Sequence, residues 1–172
     1  MQTGLNKRIA AIACIIIASA IGIAIGFSIK NHTAVFTGYE KITVNGLKEA
    51  ISAAPAICSS QMIQMLIIYI SGMTFLSHPV CITILVYRTA LLSYSALSVV
   101  PSLSAGTVLP LISYFIITVF CIYLSYRSMT MTKGFTSAKN SLSIILSHTY
   151  AFLIVSGASI FMKILPMFIF KK

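Results

Sequence analysis

The sequence predicts an all-α fold, a polytopic transmembrane helix bundle of about five spanning helices plus one short amphipathic interfacial helix. Three observations lead there. Only 8% of residues are charged and 58% are hydrophobic, against about 25% charged in a soluble domain. Mean hydropathy is +0.99. The apolar residues fall into long runs, placed at about 9–29, 57–76, 80–100, 108–125 and 142–162, with a polar segment at 30–56. The whole chain, 1–172, reads as one integral membrane domain.

Twelve Lys and Arg face two Glu, for a formal charge of +10. In a soluble protein that excess would suggest nucleic acid. Here the basic residues are scattered at the ends of apolar runs with no dense cluster, which favours topological anchoring and attraction to anionic headgroups. The expected partner is the lipid bilayer, not nucleic acid. Cys14, Cys58, Cys81 and Cys121 lie in or beside apolar runs without CxxC spacing. They read as small buried hydrophobes, and no metal or other cofactor is expected.

Met1 to Arg8 is a short polar leader carrying Lys7 and Arg8. Ile9 to Ile29 is uncharged and long enough to cross about 30 Å of hydrocarbon at about 1.5 Å per residue. Ala18-Ser-Ala20 has the look of a signal cleavage site. The apolar run continues past it to Ile29, so a retained anchor is expected. Ala18, Gly22 and Gly26 recur every four residues on one face, a spacing that lets helix backbones approach closely.

Residues 30–56 hold both acids, Glu40 and Glu49, beside Lys41 and Lys48. Asn31-His32-Thr33 fits a glycosylation sequon, a pattern common by chance. Phe36 to Val44 is β-prone. From Asn45, a helix cap, Leu47, Ile51 and Ala54 follow helical spacing with Lys48 and Glu49 turned outward, giving the interfacial helix.

The second span, Ile57 to Leu76, carries Gln61 and Gln64, both able to hydrogen-bond to other helices. Ser77-His78-Pro79 breaks the run, because proline disfavours helix at the residue before it and suits the first turn of a new one. The two helices flanking so short a turn must be antiparallel neighbours, with Gly72, His78 and Pro79 forming the hairpin turn. The third span is Val80 to Val100. Pro101 to Thr107 is a turn by composition. The fourth span is Val108 to Ser125, with Pro110 in its first turn, and Tyr114, Tyr123 and Tyr126 are candidate interface aromatics. Arg127 to Ser141 is polar. The fifth span is Leu142 to Met162, with Lys163 able to snorkel at its end. Residues 164–170 either continue that helix or lie along the interface after Pro166.

Five spans put the termini on opposite sides. Lys7, Arg8, Arg127, Lys133 and Lys139 share one side, and Lys30, Lys41, Lys48, Lys163, Lys171 and Lys172 the other. The totals barely discriminate. The pair Lys7–Arg8 ahead of the first span and the acid-free loop from Arg127 to Lys139 favour a cytoplasmic N-terminus and an extracytoplasmic C-terminus.

Arg88 is the most informative single residue. It lies about 13 Å along the third helix from Pro79, near the bilayer centre, where an arginine costs from about 2.5 to more than 10 kcal/mol. No span contains an acid to pair with it. It must face protein, water or an anion, and Tyr87, Gln61 and Gln64 are the candidate co-ligands. The structural alternative is an arginine satisfied by carbonyls or snorkelling to a headgroup. His78 and His148 have no second metal ligand nearby. Ser93, Ser95, Ser98, Ser156 and Ser159 form no GxSxG or serine–lysine arrangement, and no HExxH or P-loop motif occurs. The reading is not an enzyme.

Ala18/Gly22/Gly26, the stretch Gly72 to Pro79, and Val86-Tyr-Arg-Thr-Ala-Leu-Leu-Ser-Tyr94 together resemble the stage II sporulation protein M family of spore-forming bacteria. The likeness is one of layout: a small-residue first helix after a basic leader, a polar extracytoplasmic segment, a helix pair closed by a Gly-to-Pro turn, and five spans. Family members often have glycine where this chain has Thr89 and Ser93. The resemblance implies a non-enzymatic scaffold in the cell membrane. It implies peptidoglycan-degrading partners similar to stage II sporulation proteins D and P, acting at the septum during engulfment, and it carries over no catalytic residue. The alternative function is a small transporter or permease subunit that binds an anionic ligand near Arg88.

Overall fold

A computed structural model describes the backbone of residues 2–29, 47–99, 105–131 and 138–169. Side chains are described for 5–29, 58–97, 108–131 and 142–164. All regular structure among these residues is helical: α1 Gln2–Ile29, α2 Leu47–Ser71, α3 Ser77–Val99, α4 Ala105–Met131 and α5 Ala138–Ile169. Four stretches are long and apolar enough to cross a membrane: Leu5–Ile29, Ser77–Leu97, Val108–Met131 and Leu142–Ile164. The fifth helix, α2, has a shorter described apolar part, Cys58–Ser71. The β-prone stretch 36–44, the sequon and Glu40 lie outside the described residues.

Several boundaries differ from the sequence reading. The basic leader is helical from Gln2 and continuous with α1. The interfacial helix and the second span are one element, since α2 passes from Leu47 through Pro55 without a break. It ends earlier than expected, at Ser71. The α2–α3 turn is therefore Gly72–Leu76, and Ser77-His78-Pro79 is the first turn of α3. Local bonds hold this turn: Met73 N–H donates to the Ile70 carbonyl at 3.0 Å, Thr74 N–H to Ser71 at 2.9 Å, and the Thr74 hydroxyl to the Ser71 carbonyl at 3.0 Å. Pro79 loses nothing there, because first-turn amides have no helical acceptor. Its successor Val80 makes the first helical bond, to Leu76, at 3.2 Å.

Helix α4 starts at Ala105, so Gly106 and Thr107 are helical and Pro110 sits beyond the first turn. The same helix runs on to Met131, which places Arg127 on α4 and not in a loop. Helix α5 begins at Ala138 and continues through Pro166 to Ile169.

The bundle order follows from its contacts. Gly22 of α1 meets Thr89 of α3, and Gly26 meets Ser93. Both numbers rise together, so α1 and α3 run parallel. A short turn makes α2 and α3 antiparallel, so α2 returns through the bundle. It lies along α5, where Tyr69 hydrogen-bonds Thr149 at 2.8 Å and Ser156 meets the Met65 sulfur at 4.0 Å.

The α1–α3 seam is built from small residues. Ala11, Ala18, Gly22 and Gly26 are buried on one face of α1. A Cβ on Gly22 would overlap the Thr89 hydroxyl and come within 2.5 Å of the Val86 carbonyl oxygen. One on Gly26 would overlap the Ser93 hydroxyl. Thr89 donates to its own helix at Leu85 O, 2.7 Å, while Ser93 reaches across to Ile23 O at 3.4 Å. Thr89 and Ser93 thus supply the complementary surface for the two glycines.

The interior combines apolar residues such as Met65, Ile68, Leu85, Ile117 and Leu124 with Gln61, Arg88, His148 and many buried serines. Large apolar side chains face outward, among them Ile16, Phe75, Phe115, Ile154 and Phe161. That distribution suits a lipid solvent, in which exposed Leu, Ile and Phe are not penalised and small polar groups let helices pack. Some buried hydroxyls bond within their own helices, as with Thr118 to Tyr114 O at 2.9 Å and Ser113 to Leu109 O at 3.1 Å.

Candidate functional site

Arg88 sits at the middle of α3, on the buried stripe that includes Ser77, Cys81 and Leu85. Its rotation about the helix axis, set by the α1–α3 seam, aims it into the bundle. It is 4% exposed. Its guanidinium carbon lies 5.5 Å from the centre of the Tyr114 ring of α4, a cation–π geometry that offsets part of the cost of burial. The Arg88 Nε–H is buried without a hydrogen-bond partner. Lys163 of α5 lies within electrostatic range.

The sequence reading named Tyr87 beside Arg88. The structure turns Tyr87 outward, 46% exposed, because consecutive residues on a helix point about 100° apart. Tyr114 takes that place. The sequence marks Tyr114 only as an interface aromatic, and nothing in it links Tyr114 to α3.

Gln64 is brought to the level of Arg88, and Gln61 lies about one helical turn beyond it. Ser71 Oγ and Cys81 Sγ meet at 3.8 Å across the α2–α3 hairpin. Gln64 is two helical turns before Ser71, and Arg88 two turns after Cys81, so the two side chains lie at equal depth. Gln61 is 2% exposed. Gln61 Nε2 and Gln64 Oε1 are both buried without a partner. The Arg88 layer therefore holds one unused donor, on Arg88, and one unused acceptor, on Gln64, with the unused Gln61 donor about one turn beyond.

A second polar node lies under the hairpin turn. Gly72 is packed so closely that an added Cβ would come within 2.8 Å of Ser128 Oγ and 3.0 Å of His148 Nε2. Its φ is not positive, so space and not backbone conformation requires glycine here. Ser128 donates to the Ile68 carbonyl at 2.9 Å. His148 Nε2 lies 3.3 Å from the Tyr69 carbonyl, to which it donates, and its ring stacks on Tyr69 with centroids 5.0 Å apart. His148 is fully buried. By contrast His78 is exposed, its Nδ1 3.3 Å from Ser77 Oγ. The node is a junction of α2, α4 and α5.

Among the described residues no group of three His, Cys, Asp or Glu side chains is placed to hold a metal ion. The four cysteines are free thiols.

The fold and these sites define a polytopic helical membrane protein with a cation in its interior. No family model matches the chain, and neither a curated protein nor a solved structure does.

Proposed function

We propose that this protein is a non-enzymatic scaffold of the cell membrane, similar in role to stage II sporulation protein M, organising peptidoglycan-degrading partners at the septum during engulfment. The observation that supports this reading is the α1–α3 seam. Ala18, Gly22 and Gly26, which carry part of the family likeness, are buried on one face of α1, and Gly22 and Gly26 lock against Thr89 and Ser93, where this chain departs from the family's glycines. In this reading the N-terminus is cytoplasmic. Residues 30–56 and the connection from 101 to 104 then face the wall, where partners would dock.

The test is affinity capture of the full chain, solubilised in mild detergent from sporulating cells. Recovery of wall hydrolases, lost in a variant with residues 31–44 replaced by a Gly/Ser linker, is the expected result. Equal synthesis in vegetative cells, with no hydrolase recovered, would overturn the proposal.

One observation favours a second reading, a small transport subunit for an anion. Two buried donors, Arg88 Nε and, about one helical turn further along the bundle, Gln61 Nε2, lack partners. Buried polar groups are normally paired, and an intramembrane arginine marks ligand pathways in many membrane proteins. Loss of anion uptake into proteoliposomes in Arg88→Gln would support it, and unchanged uptake would dismiss it.

A further inference from the structure

The end of the bundle that gathers the start of α1, the end of α4 and the start of α5 contains an open cleft of about 690 Å³. Its polar lining includes Lys7 and Arg8 of α1 and Tyr123, Tyr126 and Arg127 of α4, with Ser147 of α5. Arg127 is held in place by two hydroxyls: Nη2 donates to Ser147 Oγ at 2.6 Å and Nη1 to Tyr123 Oη at 3.3 Å. A guanidinium has five N–H groups, so three remain for a ligand. Among the described residues no carboxylate lines the cleft. Glu49 is in the first turn of α2, the far end of that helix from the cleft. Three cations gathered without an acid raise one another's energy, and an anion between them relieves it. The cleft's volume falls within the range of small-molecule sites. Its place at the helix ends, between tyrosines, suits a lipid headgroup, since tyrosine is enriched at membrane interfaces.

We propose that this cleft binds a phosphate group, with Arg127 as the preorganised fork and Lys7 and Arg8 as flexible counter-charges. Arg offers phosphate paired, coplanar hydrogen bonds, and lysine a mobile point charge. The phosphate is the diester of an anionic phospholipid headgroup or a soluble phosphate, and the experiment separates these. The proposal is independent of the scaffold reading.

The full chain is reconstituted in bilayer discs of equal phosphatidylglycerol and phosphatidylcholine, and retained lipid is counted by native mass spectrometry. Wild type is expected to retain phosphatidylglycerol preferentially. Lys7 and Arg8 are exposed, so Lys7→Gln/Arg8→Gln leaves the packing intact. It is expected to lose about fivefold in preference per charge removed. Arg127→Gln should lose at least as much. Lys171→Gln/Lys172→Gln, which removes equal charge after α5, should retain the preference. Displacement of the lipid by millimolar inorganic phosphate assigns the site to soluble phosphate, and persistence assigns it to the headgroup. An unchanged preference in Lys7→Gln/Arg8→Gln, or an equal loss in the C-terminal pair, would overturn the proposal.

Discussion

Gly22 of α1 has no room for a methyl group, because the Thr89 hydroxyl of α3 occupies the space a Cβ would need. One contact of this kind fixes how closely two helices approach, and the Gly26–Ser93 contact one turn on fixes their parallel sense.

Gly22→Ala and Gly26→Ala should each destabilise the bundle by about 1–3 kcal/mol, the usual cost of overpacking. Thr89→Gly should recover only part of the Gly22→Ala loss, since the Val86 carbonyl remains in the way. Gly157 faces open space, so Gly157→Ala should be neutral or stabilise by about 0.5–1 kcal/mol through helix propensity. Denaturant titration in mixed micelles measures all four. Equal effects at Gly22 and Gly157 would contradict the seam.

Gly72→Ala should cost about 1–3 kcal/mol in the same assay, because Ser128 and His148 cannot both retreat. Adding Ser128→Gly should restore most of it. A loss that persists in the double variant would show that Gly72 matters for the turn's backbone and not for its space.

Arg88→Met should leave stability within about 1 kcal/mol of wild type or raise it, because a buried cation without a counter-ion pays for its own desolvation. Tyr114→Leu, with Arg88 kept, should cost about 1–2 kcal/mol by removing the ring that faces the guanidinium. A loss in Arg88→Met as large as in Tyr114→Leu would mean that Arg88 is a net structural bond.

Alkaline phosphatase fused after Glu49 should be active, and fused after Lys139 inactive. The reverse pattern would invert the bundle and move Lys7, Arg8 and Arg127 to the outer face.

Helical class and long apolar runs were legible because hydropathy is a property of composition along the chain, which lipid reads directly. The small-residue face of Ala18, Gly22 and Gly26 was legible from its spacing, and Arg88 from its isolation. The helix ends were less so. The charge on Arg127 suggests a loop, yet a helix does not stop at a charge, and α4 runs on through it to Met131. The turn at Gly72–Leu76 was displaced for the same kind of reason: Pro79 marks the start of a helix as readily as a break.

The amino-acid sequence by itself determined that this chain is a helical membrane protein with one costly interior arginine. Only the tertiary structure decided which helix α1 pairs with, that Tyr114 and not Tyr87 covers Arg88, and that Lys7, Arg8 and Arg127 share one cleft. The physical reason is rotation. In a nearly uniform apolar helix a small-residue face can mark a packing side but not its partner, so facing is settled by which surfaces interlock. Gly22 against Thr89 settles it for α1 and α3, and α3 then buries the stripe that carries Arg88.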